Sequence, residues 1–146
     1  CEGLVGSEMC IRDRASIIEK EAASKADRQL VAAVLVNRMK RGMRLQSDPT
    51  VRYGIDYETD RPISKADLQR KTPWNTYVIS GLPETPICNP GFGSIEAALH
   101  PADSDFLYFV SDGFGGLRFA KTLDVHNKNV RLFRTIVAQE SKGPKP

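Results

Sequence analysis

The sequence predicts a single α+β domain in which helices pack with a small antiparallel β-hairpin. Apolar residues recur at helical spacing over about residues 15–41 and again over about 122–137. Two short apolar runs, residues 106–110 and 117–119, flank the glycine-rich stretch 112–116, as the two strands of a hairpin would. With 146 residues, of which 40% are hydrophobic and 27% charged, the chain has the composition of one globular domain with a buried core.

The first part of the domain is predicted to contain two helices, over residues 15–22 and about 25–41. Ser24 has the character of an N-cap, with the acidic Asp27 at the third helical position. Gly42 is typical of a helix end. The predicted buried stripe of the second helix consists of Leu30, Val31, Val34, Leu35 and Met39.

The remaining elements are predicted from turn residues and capping patterns. Residues 43–62 and 86–93 have the composition of turns and loops. Ser64 and Ser94 are predicted to cap short helices, and residues 77–79 resemble a strand. Thr122 is predicted to cap a last helix, whose inward residues would be Val125, Val130, Phe133, Ile136 and Val137.

The two ends of the chain differ from this domain. Residues 1–14 have no clear period, join the helical pattern abruptly and resemble the translated read-through of a sequencing adapter. We therefore expect residues 1–14 to be a non-native segment, residues 15–141 to be the domain, and residues 142–146 to be a disordered tail. The domain would then be the C-terminal part of a longer protein.

Several functional classes are disfavoured by composition. The net charge of +3 suits an acidic polymer, but the basic residues are scattered and do not predict a nucleic-acid-binding surface. The longest apolar run, residues 30–36, is too short to span a membrane. The three cysteines and two histidines lack the spacing of metal ligands, and no glycine-rich phosphate loop is present. We expect neither a metal nor another cofactor.

Two glutamates near the end of the first predicted helix are the candidates for chemistry. Successive residues of a helix turn by about 100°, so that Glu19 and Glu21 point about 200° apart and only one can face a given cleft. Glu21 shares the apolar face of Ile17 and Ile18. Burial there would raise its pKa and let it hold a proton near neutral pH, as a general acid must. Alternatively, both glutamates are ordinary solvated positions.

Two groups of polar and aromatic residues could bind a sugar, which has polar edges and apolar faces. One group comprises Gln46, Asp48 and Tyr53, and the other Trp74, Asn75 and Tyr77. Gln46 and Asn75 could equally stabilise their own loops through bonds to the backbone, and the rings of Trp74 and Tyr77 could simply pack. His126 and Asn127 could be polar positions in the first turn of the last helix.

A series of short motifs resembles the YceG-like (MltG) family of endolytic murein transglycosylases, in the same order and at similar spacing, over residues 15 to about 140. The motifs are ASIIEKE (15–21), NR (37–38), GMRLQSDPTV (42–51), YG (53–54), NTY (75–77), GLP (81–83), NPG (89–91), LYFV (107–110) and HN (126–127).

The resemblance implies an enzyme that cleaves peptidoglycan between MurNAc and GlcNAc within nascent glycan strands, and so ends their polymerisation. The second glutamate of the family's Glu-Lys-Glu motif is catalytic and corresponds to Glu21. It would protonate the glycosidic oxygen and then, as a base, activate the C6 hydroxyl of the same sugar, which leaves a 1,6-anhydro-MurNAc end. The expected substrate-binding residues are Gln46, Asp48, Tyr53, Asn75, Tyr77 and Asn127.

The resemblance also implies a cellular setting and one departure from the family. Family members carry an N-terminal membrane anchor and a LysM-like domain, which place the catalytic part on the extracytoplasmic side of the cytoplasmic membrane. This segment alone would then be soluble, with glycan strands and cell-wall synthases as partners and no nucleic acid. Relatives often have a histidine after the hairpin glycines, where this chain has Leu117. Substrate binding could be weaker without it.

Two other functions fit the residues. A lysozyme-like hydrolase would use Asp48 or Asp27 as a second carboxylate beside Glu21. A non-catalytic module would bind glycan without cleaving it, and replacement of Glu21 by glutamine would leave its function unchanged.

Overall fold

The computed structural model describes residues 8–55 and 61–143, which form a helical assembly with one two-stranded sheet. The elements in chain order are α1 (Glu8–Glu21), α2 (Lys25–Lys40), α3 (Asp48–Tyr53), α4 (Lys65–Gln69), α5 (Phe92–Leu99), β1 (Tyr108–Ser111), β2 (Leu117–Ala120) and α6 (Leu123–Glu140). The predicted α+β class is confirmed.

The core lies where α1, α2 and α5 pack against one another. Ile17 and Ile18 of α1 and Val31 and Leu35 of α2 are fully buried there, together with small residues of α5 such as Ala97. Burial of these side chains fixes the rotation of α1 about its axis. That rotation determines where the last turn of the helix points.

Local signals predicted the starts of α2, α4 and α6 correctly. The side chains of Ser24, Ser64 and Thr122 each accept a hydrogen bond from the backbone N–H three residues later, at the starts of α2, α4 and α6. Asp67 completes a capping box with Ser64. Gly42, with φ of 66°, follows α2 in the left-handed conformation that glycine favours.

The hairpin is also confirmed. Strands β1 and β2 pair antiparallel, with Tyr108 opposite Ala120 and Ser111 opposite Leu117. Asp112 holds the turn, because its Oδ1 accepts hydrogen bonds from the backbone N–H groups of Phe114 (2.7 Å) and Gly116 (3.0 Å). Helix α6 packs on this hairpin.

Three predicted elements differ from the structure. Residues 48–53 of the predicted turn region form α3, which Pro49 helps to start because it is a residue suited to the first helical turn. Residues 77–79 form a turn and not a strand, since Val78 and Ile79 both donate backbone hydrogen bonds to the Asn75 carbonyl. Helix α5 begins at Phe92, before the predicted cap Ser94, which instead bonds to α1.

Two predicted buried faces are also only partly right. In α2, Leu30 and Met39 are partly buried, whereas Ala32, Ala33 and Arg38 are buried, because neighbouring elements cover more than one stripe of the helix. Helix α6 has no buried residue: Val125 and Val137 are exposed, and Val130, Phe133 and Ile136 are partly buried. The hairpin is too small to cover the whole apolar face of α6.

The structure describes only part of each end of the chain. Residues 1–7 and 144–146 lie outside the described residues, as do residues 56–60 of the internal turn region. Residues 8–14 belong to α1, which begins before the periodic pattern, and Cys10, Asp13 and Arg14 are buried. That residues 1–14 are non-native, and residues 142–146 a disordered tail, remains a prediction. None of the helices described is long and apolar enough to cross a membrane.

Candidate active site

A cleft of about 820 Å³ lies between the end of α1, the loop before α3, the hairpin and the start of α6. Its walls bring together side chains that are far apart in the sequence. Polar and charged groups on the walls are Glu19, Lys20, Glu21, Arg38, Gln46, Asp48, Tyr77, Ser111, His126 and Asn127, and the larger apolar groups are Leu45, Tyr108, Phe109, Leu117, Leu123 and Phe133.

Glu21, the last residue of α1, extends into this cleft. It follows the fully buried Ile17 and Ile18 by four and three residues, so the packing of that face directs Glu21 toward the interior side of the helix end. Its Oε1 accepts a hydrogen bond of 2.7 Å from Ser47 Oγ. The sequence predicted the position of Glu21 but not its partner Ser47.

The surroundings of Glu21 keep its carboxyl group partly protonated at neutral pH. The pKa of Glu21 is raised from 4.5 to about 7 as the net result of three effects: burial raises it, the hydrogen bond from Ser47 lowers it, and the negative charge of Asp48 raises it. Burial has the largest effect. A carboxyl with this pKa can donate a proton and, once ionised, accept one at the same pH.

Glu19 borders the same cleft, although only one of the two glutamates was expected to do so. The reason is that the cleft runs past the end of α1, so that residues 19–23 all contribute to its wall. The carboxylate of Glu19 is already engaged, since its Oε2 accepts a hydrogen bond from Ser94 Oγ in the first turn of α5. Glu19 thereby joins α1 to α5.

Asp48 and Tyr77 form a pair on the cleft wall. The Tyr77 hydroxyl donates a hydrogen bond of 2.6 Å to Asp48 Oδ1. The pKa of Tyr77 is raised above its ordinary value, first by burial and then by the hydrogen bond to Asp48. Tyr77 is therefore a neutral donor, and Asp48 brings negative charge to the neighbourhood of Glu21.

A cluster that the sequence did not single out forms another part of the wall. The guanidinium of Arg38 lies 4.9 Å from the centroid of the Tyr108 ring, and the His126 imidazole stacks on the same ring at 5.1 Å. Arg38 also donates hydrogen bonds to the carbonyls of Leu107 (2.6 Å) and Arg44 (2.8 Å). Burial, followed by the charge of Arg38, lowers the pKa of His126. His126 is therefore neutral at pH 7.

The predicted site residues divide into two sets. Gln46, Asp48, Tyr77 and Asn127 border the cleft with Glu21, and Leu117, where the resemblance led us to expect a histidine in relatives, borders it too. Tyr53 and Asn75 are not among the lining residues. Asp27, one of the two possible second carboxylates, also lies elsewhere, in the first turn of α2.

Asn75 and Tyr53 instead make contacts inside the fold. The Asn75 amide is 1% exposed and donates hydrogen bonds to the carbonyls of Leu68 (3.1 Å) and Arg70 (2.8 Å) at the end of α4. The Tyr53 ring meets Trp74 edge to face, with centroids 5.0 Å apart. The hydrogen bonds of Asn75 and the packing of Trp74 match the structural alternatives that the sequence left open for these two residues.

Metal binding has no support in the part of the chain that the structure describes, where no group of three or more His, Cys, Asp or Glu residues is placed to hold an ion. The chemistry available in the cleft is proton transfer by Glu21, with hydrogen-bonding groups and aromatic rings around it.

Comparison with known proteins connects this geometry to a family. The family model described as the YceG-like family matches residues 8–132. A Bacillus subtilis protein named endolytic murein transglycosylase is 50% identical over 114 residues, which are 78% of this chain and 31% of that protein. A Streptococcus pneumoniae protein of the same name is 36% identical over 122 residues, 80% of this chain and 22% of that protein.

A solved structure is similar as well. The crystal structure of a yceG-like protein from Listeria monocytogenes superposes with a TM-score of 0.78 and 45% sequence identity, and the match covers 84% of this chain and 40% of that one. The chain thus spans less than a third of the length of these two named relatives.

Proposed function

The chain belongs to the YceG-like family, and from this premise we propose that it is the catalytic part of an endolytic peptidoglycan lytic transglycosylase. The names of its relatives in Bacillus subtilis and Streptococcus pneumoniae support the substrate and the reaction. The observation in this chain that carries the proposal is the Glu21 carboxyl, which extends into the cleft with a pKa of about 7.

In the first step, Glu21 acts as the general acid. It gives its proton to the glycosidic oxygen between MurNAc and GlcNAc, the bond from that oxygen to MurNAc C1 breaks, and GlcNAc leaves with a hydroxyl group. Positive charge develops on the MurNAc ring as in an oxocarbenium ion. Glu21 is now a carboxylate, and Ser47 Oγ remains its hydrogen-bond donor.

In the second step, the ionised Glu21 acts as the base. It takes the proton of the MurNAc C6 hydroxyl, whose oxygen bonds to C1 and closes the 1,6-anhydro ring. Glu21 ends the cycle protonated, as it began, and no water is consumed. Because the hydroxyl belongs to the same sugar, its effective concentration is high and no second carboxylate is needed.

We assign the other cleft residues to binding of the glycan. Gln46 and Asn127 supply amides for sugar hydroxyl and acetamido groups, and the Tyr77–Asp48 pair supplies a fixed acceptor beside Glu21. For Tyr53 and Asn75, the contacts inside the fold favour support of the cleft over direct contact with substrate.

A lysozyme-like hydrolase is the second candidate, because Asp48 borders the cleft and its charge acts on Glu21. In that reaction Asp48 would activate water or attack C1 itself. One of its oxygens, however, already accepts the hydrogen bond from Tyr77. This engagement makes Asp48 less available as a nucleophile, and we favour the transglycosylase.

The experiment is mass spectrometry of glycan ends after incubation of purified peptidoglycan with the 146-residue chain. Glu21→Gln is compared with Glu84→Gln, a matched change at an exposed loop position outside the cleft. The proposal predicts new anhydro-MurNAc ends with the unchanged chain and with Glu84→Gln, and none with Glu21→Gln. Reducing ends would favour the hydrolase, whereas binding without cleavage by the folded chain would favour the non-catalytic module.

The cellular role is part of the same proposal. We place the enzyme at the outer face of the cytoplasmic membrane, held there by an anchor upstream of this domain, where it cuts nascent strands beside the synthases that make them. Cleavage inside a growing strand would end its polymerisation and set its length.

A further inference from the structure

Three residues form a closed ring of hydrogen bonds behind Glu21. The backbone N–H of Ser47 donates to Thr76 Oγ1 at 2.8 Å, and Thr50 Oγ1 donates to the Ser47 carbonyl at 2.6 Å. The two threonine hydroxyls are 2.7 Å apart. Since Thr50 has already given its only hydroxyl proton to Ser47, Thr76 is the donor between them.

This ring, made of Ser47, Thr50 and Thr76, is buried and satisfies its own polar groups. Ser47 is 3% exposed and both threonines are 0% exposed. The ring uses only the backbone of Ser47, so that the Ser47 hydroxyl is left to point at Glu21 Oε1. Buried, fully satisfied networks of this kind hold their members in a single geometry.

The backbone of Gln46, the residue before the ring, is held in a conformation that it would not adopt by itself. Gln46 has a φ of 52°, a left-handed conformation that costs a residue other than glycine about 1 kcal/mol or more. Its backbone N–H donates to the carbonyl of Thr76 at 3.2 Å, so Thr76 holds two successive residues. A strained backbone conformation persists only where surrounding contacts hold it in place, and such conformations occur most often at functional sites.

We infer that the Ser47–Thr50–Thr76 ring is a positioning device for Glu21, which fixes the Ser47 hydroxyl on Oε1 and leaves Oε2 to carry the proton given to substrate. The catalytic part of this inference rests on the proposed function. When Oε2 loses its proton to the glycosidic oxygen, the Ser47 hydroxyl keeps its own proton and its bond to Oε1 becomes charge-assisted. That bond is stronger after proton transfer than before it, which favours the transition state over the ground state.

The experiment measures the pKa of Glu21 by NMR titration of its side-chain carboxyl in the 146-residue chain without substrate, so that its result does not depend on activity. In Ser47→Ala the ring is intact, and we expect the Glu21 pKa to rise by about one unit because the bond that favours the ionised form is lost. Thr50→Val and Thr76→Val, which keep the shape and remove the hydroxyl, should shift it in the same direction by less.

Conservative variants and kinetic measurements distinguish a role of the ring in positioning Glu21 from a role in stabilising the fold. Thr50→Ser and Thr76→Ser keep the hydroxyls, so both should retain the wild-type Glu21 pKa even where the loss of a methyl group lowers thermal stability. In the cleavage assay, Ser47→Ala should lower kcat about 10- to 100-fold with little change in KM, and move the alkaline limb of the pH profile upward.

These measurements test the positioning role of the ring separately from the proposed transglycosylase activity. An unchanged Glu21 pKa in Ser47→Ala, or a raised one in the serine variants, overturns the positioning role whatever the activity. Valine variants that lose thermal stability but keep the wild-type pKa and alkaline limb would make the ring purely structural. The expected pKa shifts in a chain that cleaves no glycan would keep the positioning role and refute the proposed function.

Discussion

The Tyr77 hydroxyl donates a 2.6 Å hydrogen bond to Asp48 Oδ1 on the wall of the cleft that Glu21 enters. Asp48 places a negative charge near Glu21, and one oxygen of the Asp48 carboxylate is occupied by the hydrogen bond from Tyr77. Asp48 thus affects the acid through its charge, and that effect can be tested separately from any direct part in the reaction.

Replacement of Asp48 by asparagine should lower the pKa of Glu21. The charge of Asp48 raises that pKa, so its removal makes the ionised form of Glu21 easier to reach. The alkaline limb of the cleavage profile should therefore move to lower pH, and carboxyl NMR should show the same direction. Asp103→Asn, at an exposed position that does not border the cleft, is the control. A Glu21 pKa that stays the same or rises in Asp48→Asn would contradict this prediction.

The stability of the chain should fall as pH rises through the range in which Glu21 ionises. Its pKa is about 7 when folded and ordinarily 4.5, so the folded state holds this proton more tightly. The resulting stabilisation is complete below about pH 4.5 and is lost by the time pH has passed about 7. At about 1.4 kcal/mol per pKa unit, the loss in the free energy of unfolding is at most roughly 3.5 kcal/mol.

Urea unfolding of Glu21→Gln measures this contribution by difference. Burial raises the pKa of Asp13 to about 6, so its ionisation also makes the chain less stable as pH rises over part of this range. Asp13 is present in both proteins, and its effect cancels in the difference. The stability of Glu21→Gln should therefore depend less on pH than that of the wild type. Equal slopes between about pH 5 and pH 7 would show that Glu21 is not protonated preferentially in the folded chain.

Asn75→Ala should reduce stability much more than substrate binding. The buried amide donates to carbonyls at the end of α4, and its Oδ1 accepts from the Tyr77 backbone N–H at 2.9 Å, so truncation leaves several buried groups unpaired. We expect a loss of about 2–4 kcal/mol in the free energy of unfolding. In contrast, Gln46→Ala, at an exposed residue of the cleft wall, should raise KM several-fold and change stability little. The reverse pattern would place Asn75 on the substrate.

Leu117→His should strengthen substrate binding. Leu117 borders the cleft at the start of β2, where the resemblance predicts a histidine in relatives, and an imidazole there would offer a hydrogen-bonding group to the glycan. We expect a lower KM, at a cost in stability of about 1 kcal/mol because Leu117 packs against the core. Leu117→Met, which keeps an apolar side chain, should leave KM unchanged. No difference in KM between the two variants would mean that this position does not meet the substrate.

Sequence reasoning succeeded where a structure depends on neighbours along the chain. The caps at Ser24, Ser64 and Thr122 involve contacts three residues apart, and the relation of Glu21 to Ile17 and Ile18 follows from the helical repeat. These signals predicted the starts of α2, α4 and α6 and the face of α1 on which the carboxyl lies.

Long-range contacts explain what was missed. Ser47 reaches Glu21 across 26 residues, and Arg38 meets Tyr108 only after α2 packs beside the hairpin. The apparent strand at residues 77–79 became a turn because the Asn75 carbonyl accepts two local hydrogen bonds. The left-handed conformation of Gln46 was not predicted because the usual signal for it, a glycine, is absent at this position.

The central claim, that Glu21 cleaves glycan strands without water, is tested most directly by cleavage in H₂¹⁸O followed by mass spectrometry of the new MurNAc ends. A transglycosylase should produce ends that contain no ¹⁸O and are one water lighter than hydrolysis products, and Glu21→Gln should produce none of these ends. New ends that carry one ¹⁸O atom would contradict it, because water and not the C6 hydroxyl would then have attacked C1.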